Sequence, residues 1–185
     1  MRIRFNNSPT VRISGDEIFT WVEPLDIKLI RSMVIPWIKE RGKFRNDYKN
    51  TDTGWCNICI TPKGVKNSIQ HGAGPEKIQC FAALPEMVKN GVLVKTHGGK
   101  SHQRDMIEHI FAAKVDINGK SMVVGFVIKE DSNGKRFYDH ELTEKKNLDE
   151  VPSQVGAGEP EAHNAIRLRQ GSIINILKKY LGVNK

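Results

Sequence analysis

Two Asn-Gly dipeptides, at 118–119 and 133–134, separate runs of alternating apolar residues. Asn-Gly between such runs is the strongest short-range signal for a β-hairpin, because both turn residues must accept a positive φ. The spacing predicts a three-stranded antiparallel meander with strands at about 105–117, 120–130 and 135–143.

Alternation along the middle strand assigns its two faces. The bulky side chains are expected to meet the helices, and they belong to Met122, Val124, Phe126 and Ile128. The opposite face carries smaller side chains, those of Ser121, Val123, Gly125, Val127 and Lys129. We expect one face of the sheet to be a shallow, mixed surface with ionisable groups, on which a polymeric ligand lies.

Helical spacing of apolar residues precedes the meander. We expect helices at about 26–41, capped by Asp26, at 62–71, and from Pro75 to about 90, with strands at 55–60 and from 92. The fold class is therefore α+β, with N-terminal helices packed on an antiparallel β-meander and a C-terminal helix. The expected division is a domain at 1–144 (helical layer 26–90, sheet 92–143), a polar linker at 145–164 and a helix at 165–185.

The charge balance favours polyanionic partners. Lysine and arginine total 29 against 21 acidic residues, a formal net charge of +8, which points first to nucleic acid and second to an anionic membrane surface. The apolar runs are too short to span a bilayer, so no membrane partner is expected. Three cysteines, an odd number, favour a reducing compartment, the cytosol.

No metal or cofactor is expected. Cys56 and Cys59 form one C-x2-C pair without a second pair, and residues three apart on a strand point to opposite faces. The glycine-rich nucleotide-binding motifs are missing from the sequence as well. Neither zinc nor a nucleotide cofactor is therefore supported.

Two histidines stand out among six. His71 lies in the glycine-flanked turn "QHGAG", where it either caps a helix or transfers protons. His140 follows Tyr138 and Arg136 on one strand face, an arrangement that suits phosphodiester recognition through stacking, proton transfer and charge neutralisation. The alternative for this strand is a solvated outer strand whose tyrosine ring covers the core.

A basic loop, "THGGKSHQRDMIEH" at 96–109, ends at His109 and contains Arg104. It suits a phosphate backbone, although a solvated hairpin tip is the ordinary alternative. We assign Arg104, Lys77, Arg136 and His109 as candidate substrate-binding residues, and His71, His140 and Tyr138 as candidate catalytic residues.

Two segments carry a family resemblance, "ITPKGVKNSIQHGAGPEKIQCFAALPEMVKNGVLV" and "HIFAAKVDINGKSMVVGFVIKEDSNGKRFYDHELTE". They resemble phage-borne nuclease-like domains of the barnase–EndoU–colicin–RelE superfamily, which occur in large polyvalent phage and mobile-element proteins. The resemblance implies a helical layer on an antiparallel meander and metal-independent RNA cleavage across the open sheet face. It matches His71 to a helix-end histidine, and Tyr138 and His140 to a last-strand motif.

The leading hypothesis is thus a metal-independent endoribonuclease-like toxin or effector domain encoded by a phage or mobile element. The expected partner is RNA, with tRNA as one candidate, and a phage head or portal protein or an immunity protein as a further partner. The expected location is the host bacterial cytoplasm or the virion. The alternative is a non-catalytic module of a phage protein that binds nucleic acid or a protein partner, and a third is an assembly element.

Overall fold

The computed structural model describes residue 5 and residues 8–18, 26–70, 75–98, 105–139 and 143–146 of the 185-residue chain. The helices are α1 (Ile27–Glu40), α2 (Pro62–Gln70) and α3 (Pro75–Asn90). The strands are β1 (Val11–Ile13), β2 (Ile58–Ile60), β3 (Val92–Gly98), β4 (Ile107–Ile117), β5 (Lys120–Glu130), β6 (Arg136–Tyr138) and β7 (Thr143–Lys146). None of the described helices is long and apolar enough to cross a membrane.

The meander predicted from the two Asn-Gly dipeptides is confirmed. Strands β4, β5 and β6 pair antiparallel in sequence order. Asn118 and Gly119 have φ values of 50° and 81° in the first turn, and Gly134 has a φ of 75° in the second. The third strand is shorter than expected, since β6 ends at Tyr138 and a separate strand, β7, pairs with another part of β5.

The sheet as a whole is mixed, so the prediction of a purely antiparallel sheet was wrong. Strand β1 runs parallel to β4 and β2 runs parallel to β6, in a sheet that curls as a half-barrel. Both added strands have three residues, too few for a periodic pattern to reveal their partners. The fold class α+β is retained, with three helices in the described part of the chain.

The main core lies between the helices and one face of the sheet. The predicted bulky face of β5 faces the helices, and the aromatic rings of Phe111 and Phe126 stack there at 5.5 Å. Helix α1 contributes four apolar residues at helical spacing, Ile30, Val34, Trp37 and Ile38, whereas Ile27, expected on the same face, is 43% exposed. Helix α3 is buried along most of its length. Asp26 caps α1 as predicted, because its Oδ1 accepts a hydrogen bond of 2.6 Å from the Leu29 amide.

The opposite face of the central strands is not the open surface that the alternation pattern predicted. A second apolar cluster lies there, made of Ile110, Ala112, Val123 and Val127, with Phe5 and Val94 packed against it. The ammonium-bearing Lys129 is only 4% exposed on this face. The pattern predicted small side chains but could not show that other parts of the chain cover them.

Helix α2 lies very close to strand β6. Gly64 faces the backbone of β6, and an added Cβ there would overlap the Tyr138 carbonyl oxygen and lie 3.2 Å from that of Asp139. The Tyr138 hydroxyl donates a hydrogen bond of 2.9 Å to Ser68 Oγ on the same helix. Thr61 caps α2, since its Oγ1 accepts from the Gly64 amide at 3.1 Å.

The expected linker at 145–164 and C-terminal helix at 165–185 lie outside the described residues, except for Lys145 and Lys146 at the end of β7. The division of the chain into these three parts therefore stays a prediction.

The close approach at Gly64 predicts that Gly64→Ala destabilises the fold. Alanine favours a helix over glycine by about 1 kcal/mol, whereas overpacking against a fixed backbone costs about 1–3 kcal/mol or more. We expect a net loss in the free energy of unfolding, measured by urea denaturation. Gly98→Ala is the matched control, because an added Cβ there meets nothing within 4 Å and should change stability by less than about 0.5 kcal/mol. A Gly64→Ala variant as stable as the parent would contradict the contact.

Candidate functional site

The predicted site residues fall into three groups. His71, His140 and Arg104 lie outside the described residues. Tyr138 and Lys77 are buried, with 0% and 6% of their surface exposed. Arg136 and His109 lie together at one end of the sheet, although 26 residues lie between them in the sequence.

Tyr138 is a core residue. Its ring belongs to the main hydrophobic cluster, and its only described hydroxyl partner is Ser68. Burial raises the pKa of the Tyr138 phenol far above its ordinary value, an effect that the hydrogen bond from its hydroxyl to Ser68 only partly offsets. A phenol in this position holds α2 on β6 and has no free surface for stacking on a base.

His109 and Arg136 are joined through Glu130. The Nε2 atom of His109 lies 3.0 Å from Glu130 Oε2, and Arg136 Nε donates to the same oxygen at 2.8 Å. These side chains share the helix-facing side of the sheet, where register places His109 opposite Ile128 and Glu130 opposite Arg136. The carboxylate thus orients both the imidazole and the guanidinium.

Two further side chains complete this cluster, and sequence reasoning missed them. Thr96 Oγ1 lies 3.0 Å from His109 Nδ1. The Trp55 indole packs edge-on against the His109 ring at 4.5 Å and beneath the Arg136 guanidinium at 4.3 Å. The cross-strand register of β3 and β4 pairs Thr96 with His109. Trp55 lies in the loop before β2, because the strand predicted at 55–60 begins only at Ile58.

The His109 ring is held in its neutral form. Burial lowers the pKa of His109, and the hydrogen bond and negative charge of Glu130 oppose that shift only in part. The positive charges of Arg136 and His97 act in the same direction as burial. A neutral ring that donates from Nε2 to Glu130 and accepts from the Thr96 hydroxyl satisfies both nitrogens.

A second charged network occupies the other side of the sheet. Lys129 Nζ lies 2.6 Å from Asp139 Oδ2 and 3.6 Å from Glu108 Oε1. Glu108 also faces His97, with 3.5 Å between His97 Nε2 and Glu108 Oε2. Burial of an ammonium group is tolerated when such partners surround it, so this network explains how Lys129 is accommodated within the sheet.

Metal ligation has no geometric support in the described part of the chain. No group of three His, Cys, Asp or Glu side chains lies close enough there to hold an ion. Cys56 is exposed, Cys59 and Cys80 are buried, and all three are free thiols.

Comparison with known proteins finds one relationship. A family model described as large polyvalent protein-associated domain 3 matches residues 26–138, which is more than half of the chain. Neither the curated proteins nor the solved structures contain a significant match.

The lowered pKa of His109 predicts a dependence of stability on pH. Below the unfolded pKa of about 6.5, the unfolded chain takes up a proton that the folded His109 does not. The free energy of unfolding should therefore fall as the pH drops from about 7.5 to 5, by at most about 1.4 kcal/mol per pH unit for this one proton. Urea denaturation across this range should show a shallower dependence for His109→Gln than for the parent.

His163→Gln is the control for that measurement, because His163 belongs to the sequence of the expected linker and its replacement should leave the pH dependence close to that of the parent. If the free energy of unfolding depends on pH equally in His109→Gln and in the parent, the buried ring takes up its proton in the fold as it does in the unfolded chain, which contradicts the prediction.

Proposed function

The chain belongs to large polyvalent protein-associated domain 3, a domain of large phage and mobile-element proteins, and we propose that within such a protein it cleaves RNA without a metal ion. The family membership sets the biological setting and assigns no activity. The proposed chemistry comes from two histidines, His71 and His140, and from the geometry of the two elements that precede them.

RNA cleavage of this kind uses the nucleophile that the substrate already contains. A base removes the proton of the 2′-hydroxyl, the 2′-oxygen attacks the phosphorus, and the bond from phosphorus to the 5′-oxygen breaks. An acid then supplies a proton to the leaving 5′-oxygen, and cations hold the phosphate charge. The products are a 2′,3′-cyclic phosphate and a 5′-hydroxyl. His71 and His140 are the proposed acid–base pair.

The observation that supports this pair is the contact between α2 and β6. Ser68 Oγ accepts from the Tyr138 hydroxyl at 2.9 Å, and Asn67 Nδ2 donates to Asp139 Oδ1 at 3.3 Å. His71 directly follows Gln70, the last residue of α2, and His140 directly follows Asp139. The two chain segments that lead into the histidines are therefore packed against each other.

His109 is not part of the proposed acid–base pair. Its ring is 4% exposed, and Thr96 and Glu130 contact both of its nitrogens. A proton-transfer group needs a nitrogen within hydrogen-bond reach of the substrate. We assign His109 instead to the structural cluster with Glu130 and Arg136.

A second candidate function is a binding module without catalysis, which holds nucleic acid or a protein partner such as a phage head, portal or immunity protein. The burial of Tyr138 favours a module without catalysis, because this candidate catalytic residue is enclosed in the core and has no surface to offer a substrate. Cleavage of RNA by the purified chain separates the two candidates.

The proposal predicts that His71→Ala and His140→Ala each reduce RNA cleavage by about 10²–10⁴-fold, the usual effect of removing one acid or base. The assay follows a fluorescently labelled RNA in EDTA, with end-group analysis for the cyclic phosphate. RNA affinity should change little, since lysine and arginine side chains supply most of the charge attraction to a phosphate backbone.

His163→Ala is the matched control, because His163 belongs to the sequence of the expected linker and its replacement should leave the rate unchanged. A folded parent chain that cuts no RNA would overturn the cleavage proposal in favour of the binding module. Cleavage by His71→Ala at the parental rate would reduce His71 to a helix cap.

A further inference from the structure

A groove of about 550 Å³ lies between α1 and α2, on the helical side of the molecule. Its polar lining comes from Arg31 on α1 and from Lys63, Lys66, Asn67 and Gln70 on α2. None of these side chains belongs to a site predicted from the sequence. Three of them carry a positive charge, so the groove concentrates cations within a small volume.

These cations have no described acidic partner. Among the described residues, Arg31, Lys63 and Lys66 take part in no ion pair. The Arg31 Nε atom is buried and makes no hydrogen bond to the described part of the chain. A buried donor without an acceptor costs about 1–3 kcal/mol, and an anionic oxygen in the groove would remove that cost.

Asp139, the carboxylate that Asn67 contacts, is not among the described residues that line the groove, and it is paired with Lys129. Asn67 bonds to Asp139 Oδ1 at 3.3 Å, while Lys129 Nζ lies 2.6 Å from Asp139 Oδ2. The field in the groove is therefore set by its own three cations. This contrasts with Arg136, whose charge is directed at Glu130.

We propose that this groove binds the phosphodiester backbone of single-stranded nucleic acid. Lys63 and Lys66 are three residues apart on one helix face, so their side chains are neighbours, and Arg31 supplies a planar donor fork from the facing helix. The described residues that line the groove include no aromatic ring, so they offer bases nothing to stack on. Contacts of this kind position a strand without reading its sequence.

For its role in cleavage, the groove rests on the proposed function. Gln70 lines the groove and directly precedes His71, and Asn67 bonds to the residue that directly precedes His140. A strand whose phosphates lie in the groove would be held beside the segments that lead into both proposed catalytic residues. Binding itself needs no 2′-hydroxyl, so DNA and RNA strands should both occupy the groove.

Oligothymidylate DNA, which this chemistry cannot cut, tests the groove separately from cleavage. Fluorescence anisotropy over a series of salt concentrations gives the affinity and its salt dependence. We expect the Lys63→Gln/Lys66→Gln variant to bind at least about tenfold more weakly, as the loss of two charge-assisted hydrogen bonds implies. The slope of log K against log salt should decrease by roughly 1.4, about 0.7 for each lost phosphate contact on a single strand.

The matched control is Lys49→Gln/Lys95→Gln, which removes the same charge from two exposed lysines outside the groove. Its affinity should stay within about twofold of the parent. Arg31→Gln should weaken binding as well, with circular dichroism to verify its fold. Equal losses in the two double variants would overturn the groove in favour of a general charge effect. Competition by polyglutamate as strong as that by oligothymidylate would assign the groove to an acidic protein instead.

The outcomes for the groove and for the proposed cleavage are distinct. If the parent chain binds DNA through Lys63 and Lys66 but cuts no RNA, the groove proposal is supported and the cleavage proposal is overturned. If the parent chain cuts RNA through His71, and the groove variants bind and cut as the parent does, the groove proposal is overturned and the cleavage proposal is supported.

Discussion

The approach of helix α2 to strand β6 is the constraint on which the rest of the arrangement depends. The helix can lie so close because Gly64 has no side chain where the β6 backbone passes, and Tyr138 secures the contact from the other side with its buried hydroxyl on Ser68. This contact brings the α1–α2 layer against the last strand of the meander, and the basic groove lies within that layer, between its two helices. It also joins the segments before His71 and His140, so a single packing event supports both proposals made for this chain.

The parts of the fold that could be predicted are those specified by residues close together in the sequence. Asn118 and Gly119 specify a hairpin by their own backbone preferences, and Asp26 specifies a helix start by one side-chain hydrogen bond. The predicted strand at 55–60 contains β2. The parallel pairing of β1 and β2 was not predictable, because three residues carry no period and their partners lie far along the chain. For Tyr138 the sequence left two possibilities open, a ring that stacks on a base and a ring that covers the core, and the structure selects the second. An alternating pattern shows that residues 136 and 138 share a face, but only the position of α2 decides that this face is covered.

The candidate site shows the same division between local and distant information. The sequence marked His109 and Arg136 as separate phosphate contacts, whereas the structure joins them through Glu130 and covers them with Trp55. The His109 and Arg136 side chains therefore both have a partner, Glu130. Lys129 is likewise paired on the other side of the sheet. The cations of the groove differ in that their described surroundings contain no acidic partner, and this difference could be seen only after the pairs had been located. A net charge of +8 therefore says little about function until the paired basic side chains are distinguished from the unpaired ones.

The buried phenol of Tyr138 has a further consequence. Because burial raises its pKa so far, the group stays protonated at alkaline pH for as long as α2 covers it, while a solvent-exposed tyrosine ionises near pH 10. Ionisation of a phenol changes its ultraviolet absorbance. A rapid jump to alkaline pH would therefore record, as a delayed step in absorbance, the moment at which water reaches this ring. The absorbance of the Tyr138 phenol thus reports the rate at which α2 separates from the sheet.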